Sequence, residues 1–163
     1  KEQIDILWDE LKSIPNLHIL ADEHKERLGV ISFYIDNLHF NVGVKMLNDK
    51  FGIQTRGGCS CAGTYGHYLL HVLPEQSGKI TSLIDSGDLS KKPGWMRLSI
   101  HPTMTNKEIR FMVKSIKELA ANFKDWEKDY NLEQKHTQVM LNRNFNDSFI
   151  ENKITSVFNK SFN

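Results

Sequence analysis

Cysteine is almost missing from this 163-residue chain: only Cys59 and Cys61 occur, one residue apart, where a mutual disulfide would close a small, strained ring. A secreted scaffold built on disulfides is thereby excluded. An excess of one charge is missing too. Twenty-one Lys and Arg stand against 20 Asp and Glu, a formal charge of +1, which suits neither a protein held on nucleic-acid phosphates nor one held on anionic lipid. Long apolar runs are also lacking, since stretches such as Gly29 to Ile35 fall far short of the roughly 20 residues that span a bilayer. The amphipathic opening does not have the form of a signal peptide. A soluble, cytoplasmic protein with no nucleic-acid or membrane partner is expected. There is no internal repeat, and no methionine at position 1. The first residues already belong to an amphipathic pattern, so the chain reads as a piece of a longer one.

What is present is ordinary for a folded protein, with 39% hydrophobic and 25% charged residues, which suggests neither disorder nor a coiled coil. Its length suits one compact domain. Ile4, Leu7, Trp8 and Leu11 recur at helical spacing until the turn pair Pro15 and Asn16, after which Leu17 to Leu20 reads as a short strand. Gly29 to Asp36 is a better strand, with Ile31, Phe33 and Ile35 on one face and Val30, Ser32 and Tyr34 on the other. Phe40, Val44, Leu47 and Phe51 predict a second helix, capped by Asn41 and stopped at Gly52. Ile53 to Arg56 reads as a strand running into Gly57, Gly58 and the two cysteines, and Tyr65 to Val72 as a short helix. Pro74 to Gly94 reads as a surface excursion, and Trp95 to Ile100 as a strand.

Thr105 and Glu108 form a capping box that opens a long helix over roughly 106–128, its apolar stripe running from Ile109 through Met112, Val113, Ile116, Leu119 and Ala120 to Phe123. Residues 131–163 are polar and Asn-rich, with scattered Phe145, Phe149, Ile154 and Phe158, and read as a terminal helix or a loosely docked extension. Several connections are too tight for parallel crossovers. An α+β, two-layer domain follows, a short antiparallel or mixed sheet covered by helices on one face, with residues 1–130 as the domain and 131–163 as an extension.

The chemistry concentrates in Arg56-Gly-Gly-Cys-Ser-Cys-Ala62, a cation, two flexible residues and two thiols on a loop. Together with Gly52-Ile53-Gln54-Thr55 before it, Gly29 to Tyr34, and Arg97-Leu98-Ser99 followed by Thr105-Asn106-Lys107-Glu108-Ile109, this segment resembles the carboxy-terminal small domain of class V aminotransferase-fold enzymes. The likeness is greatest to cysteine desulfurases and selenocysteine lyases, and it covers roughly residues 1–128. It implies the small domain of a fold-type I enzyme that depends on pyridoxal phosphate, the electron sink when a bond to an amino acid breaks. The lysine that carries this cofactor belongs to the family's large domain, and no segment here resembles that domain. The resemblance therefore implies a detached small domain, inactive alone, from an enzyme that is a homodimer when whole.

Three residues carry over from the resemblance. Arg97 falls where the family holds the substrate's α-carboxylate, a task suited to a planar guanidinium fork; its plain alternative is a surface salt bridge. Cys61 falls where the desulfurase thiolate takes the substrate's sulfur as a persulfide, for later delivery to a sulfur-acceptor protein; the alternative is an inert, buried thiol. Arg56 either orients the loop or faces the substrate. Many desulfurases have two histidines just before the cysteine, where this chain has Cys59 and Ser60, and the excursion from Pro74 to Gly94 is longer than in their compact forms. A class V aminotransferase or epimerase would keep Arg97 without needing the thiol. A reading of another class is a zinc module made from Cys59, Cys61, His67 and His71, although the cysteine gap is shorter than zinc sites use. His18, His24, His39, His101 and His136 show no pairing and receive no role.

Overall fold

Helix α1 (Glu2–Lys12) turns Ile4, Leu7, Trp8 and Leu11 inward, as their spacing predicts. The computed structural model describes residues 1–59, 63–132 and 139–141. Strands β1 (Leu17–Ile19) and β2 (Val30–Ile35) follow, then α2 (Phe40–Phe51), β3 (Arg56–Gly58), α3 (Gly63–Leu69), α4 (Pro74–Asp85), β4 (Trp95–Ser99) and α5 (Asn106–Trp126). A 3-10 turn at Glu127–Asp129 leads into a hairpin of β5 (Tyr130–Leu132) and β6 (Val139–Leu141).

The four longer-range strands form one sheet in the order β1-β2-β4-β3. Every pairing is antiparallel, which resolves the expected antiparallel or mixed sheet: Ile19 lies opposite Phe33, Phe33 opposite Met96, and Arg56 opposite Arg97. Alternation then sorts the residues by face. Leu17, Ile19, Ile31, Phe33, Ile35, Met96 and Leu98 are buried, and α1, α2 and α5 pack on that side. The α5 stripe from Ile109 to Phe123 is buried throughout, each of its larger side chains (Ile, Met, Val, Leu, Phe) stabilising the fold by about 1.5–3 kcal/mol relative to exposure. A Lys117–Glu10 ion pair joins α5 to α1 at the rim.

Several expectations are corrected in detail. The cap of α2 is His39, whose ring Nδ1 accepts the Asn41 N–H at 3.2 Å, so Asn41 stands inside the helix. Ile53 belongs to the helix stop and not to a strand: Gly52, at φ 68, and Ile53 donate their N–H groups to the carbonyls of Asn48 and Leu47. The strand therefore begins at Arg56. The excursion after Pro74 contains the 12-residue α4, none of whose residues is buried. Beyond α5 the chain opens as a strand, with Tyr130 buried and Leu132 and Val139 packed on the core. Phe145, Phe149, Ile154 and Phe158 lie outside the described residues. No helix among the described residues is long and apolar enough to cross a membrane.

Candidate functional site

The sheet face turned away from α1, α2 and α5 carries the polar strand positions. His18 and Tyr34 lie opposite each other, and Ser32, Arg97 and Arg56 form a row across β2, β4 and β3. Arg97 sits there because Met96 and Leu98 take the core side of the same strand. It is half-buried, and its Nε is enclosed with no hydrogen-bond partner among the described residues. Arg56 is exposed. No carboxylate among the described residues pairs with either arginine. Like charges directly opposite on a sheet repel, so two neighbouring guanidinium groups, one of them partly desolvated, form a place where an anion is favoured.

The same row shows what the face does not offer. Its strand positions are His18, Val30, Ser32, Tyr34, Arg56, Gly58, Trp95, Arg97 and Ser99, with no lysine to tether a carbonyl cofactor. The guanidinium donors suit an anion, and no amine that could tether a carbonyl group stands among these strand positions.

β3 leads directly into Cys59, which is half-buried. Its thiol donates to the Pro93 carbonyl at 2.6 Å, and burial pushes its pKa above the ordinary thiol value, partly opposed by Lys92. A protonated thiol bonded to backbone is an anchor for the loop and a poor nucleophile. Cys61 lies outside the described residues. Of the other zinc candidates, His67 shares a 2.9 Å hydrogen bond with Ser77 of α4. His71, at φ 52, lines a cavity of about 330 Å³ together with His18, Tyr34 and Tyr68. Among the described residues there is no group of three or more metal-ligating side chains.

Two histidines that sequence reasoning left without a role have one. His18 pairs with Asp36 at 3.0 Å and stacks on Tyr34 with ring centroids 4.7 Å apart. The alternation of His18 between Leu17 and Ile19 was the available signal, once β1 is paired with β2. His39 holds the start of α2, and because its Nδ1 accepts, the proton is on Nε2, which is buried without a partner among the described residues. Burial, aided by Lys91, holds its pKa below the ordinary 6.5. Nothing in the sequence marks it, since histidine is not a favoured cap.

Fold and site together define a small α+β domain whose polar sheet face presents neighbouring arginines on β3 and β4, with a cysteine just after β3. The Aminotransferase class-V family profile matches residues 1–112, and the chain belongs to that family. The matched span is shorter than the 1–128 expected from the motifs, yet it includes Arg56, Cys59, Cys61 and Arg97. Enzymes of this family depend in general on pyridoxal phosphate. No curated protein matches the chain.

Proposed function

We propose that this chain is the carboxy-terminal small domain of a pyridoxal-phosphate enzyme acting on an amino acid, of the cysteine desulfurase or selenocysteine lyase type. The observation that carries the reading is the row of Arg97 and Arg56 on the polar sheet face, with the Arg97 Nε enclosed and unpartnered among the described residues. In this reading Arg97 receives the substrate's α-carboxylate through parallel N–H donors, and Arg56 adds charge at its flank. Ser32, opposite Arg97 on β2, borders the same place. Cys59 stays protonated on Pro93 and steadies the loop, leaving Cys61 as the thiol that reacts.

The cofactor, when bound, supplies the electron sink, and its lysine comes from outside this chain's sheet face. The Cys61 thiolate attacks the substrate's sulfur, forming an S–S bond as the C–S bond breaks with its electron pair left toward carbon. A sulfur-acceptor protein then takes the persulfide sulfur. The enzyme in this reading is a cytoplasmic homodimer, and the 163-residue chain alone neither binds the cofactor in a defined site nor turns over substrate.

The test is mass spectrometry of the full enzyme after incubation with cysteine. One extra sulfur is expected on the peptide holding Cys61, lost in Cys61→Ser and kept in Cys59→Ser. Full activity in Cys61→Ser with no added sulfur would assign the chain to the aminotransferase or epimerase side of its family.

A further inference from the structure

Three glycines meet around one ring. Phe40 is the first residue of α2 and is buried. A Cβ placed on Gly94 would come within 2.6 Å of the Cδ1 and Cε1 atoms of Phe40 and 3.1 Å of the Gly58 Cα. One placed on Gly57 would come within 2.9 Å of the Phe40 Cδ2. Such approaches are below any van der Waals contact, so a side chain at either position would displace the ring or the strand. Gly58 adds a backbone reason for glycine, with φ 113. The ring is itself held in place: His39 stacks on it at 4.4 Å and is pinned as the cap of α2.

The backbone seated on this ring is the one that carries the loop chemistry. Gly58 pairs with Trp95 at the end of β3, and Cys59, the next residue outward, bonds through its thiol to the carbonyl of Pro93, two residues before Trp95. On the far side, the Cβ of Cys59 and the Trp95 ring lie 3.7 Å and 3.5 Å from where a Cβ on Gly66 of α3 would stand. Both exits from the sheet, one toward the cysteines and one from the excursion, thus rest on a single side chain of α2.

We infer that Phe40 is a positioning residue for Cys59, its ring in the Gly57–Gly58–Gly94 notch fixing where the backbone leaves the sheet at Cys59 and keeping Pro93 within reach of that thiol. The use of this placement in sulfur chemistry rests on the function proposed above; the placement itself does not.

The experiment is alkylation of the full chain by iodoacetamide under native conditions, with Cys59 resolved from Cys61 by fragment-ion mass spectrometry, and amide exchange of α5 read in parallel. Phe40→Ala and Gly94→Ala are each expected to speed Cys59 alkylation by about tenfold or more while α5 keeps its protection, as local opening at the notch requires. Phe40→Leu added to Gly94→Ala should slow the reaction again, because the smaller side chain makes room for the new methyl group. Ile116→Val, in the core of α5, should leave the Cys59 rate unchanged. If Phe40→Ala does not fold, Phe40→Leu and Gly94→Ala carry the test. Unchanged Cys59 alkylation in the folded notch variants, or equal acceleration in Ile116→Val, overturns the inference. No substrate is present in this assay, so its failure and a failure to find the Cys61 persulfide are separate results.

Discussion

His39 shows how one side chain can tie the start of a helix to pH. Its neutral ring accepts the Asn41 N–H, and its pKa lies below 6.5 because burial and Lys91 disfavour the cation. The unfolded chain therefore binds more protons than the folded one just below that value, and stability rises with pH there. The contribution is complete above pH 6.5 and is lost as pH falls toward and through the depressed folded value. Asp36 and Lys91 line the same region as His39, so the comparison must be made within one background. Urea midpoints at pH 7 and pH 5 are expected to fall further for the wild type than for His39→Asn, which keeps a capping acceptor but does not titrate. An equal fall in both proteins would remove His39 from the effect. The cysteines illustrate the same scale: spacing alone grouped Cys59 with Cys61, whereas the Cys59 thiol donates to the Pro93 carbonyl and burial raises its pKa.

Among the elements, α5 is the one whose sequence and structure agree most fully. Thr105 Oγ1 accepts the Glu108 N–H at 3.3 Å, and a Glu108 carboxylate oxygen accepts the Thr105 N–H at 2.7 Å. Thr105→Ala should cost about 0.5–2 kcal/mol in urea unfolding, with Thr105→Ser close to wild type. No loss in the alanine variant would mean that the cap is redundant with the packing of the stripe behind it. Local patterns of this kind made α1, β2 and α5 legible, because each buries a continuous stripe or an alternating face in this same chain. α4 was missed for the opposite reason. Pro74 opens it well, but Gly78 and the serines dilute its pattern, and none of its residues is buried, so no periodic apolar face had a partner to reveal it. β3 was displaced by three residues because Ile53, although buried, serves the stop of α2. The row of Ser32, Arg97 and Arg56 was beyond local reading, since strand order β2-β4-β3 places residues far apart in sequence side by side.

For the whole molecule, the division between two sheet faces is what turns a common α+β layer into a site. One face is closed by α1, α2 and α5. The other holds two arginines side by side, Arg56 at the start of β3 opposite Arg97 in the middle of β4, and the cysteines follow the far end of β3. Fold alone would leave the chemistry open; the chain belongs to the class V aminotransferase family, and in the function proposed above the arginine row meets the carboxylate of an amino-acid substrate. The most direct measurement compares kcat/KM of the full enzyme and its Arg97→Lys variant on an amino-acid substrate and on the matching amine that lacks the α-carboxylate. If Arg97 holds that carboxylate, replacing the fork by a point charge should cost about 1–3 kcal/mol, on the order of tenfold to a hundredfold, with the amino acid and almost nothing with the amine. An equal loss on both substrates, or no loss on either, would contradict the account.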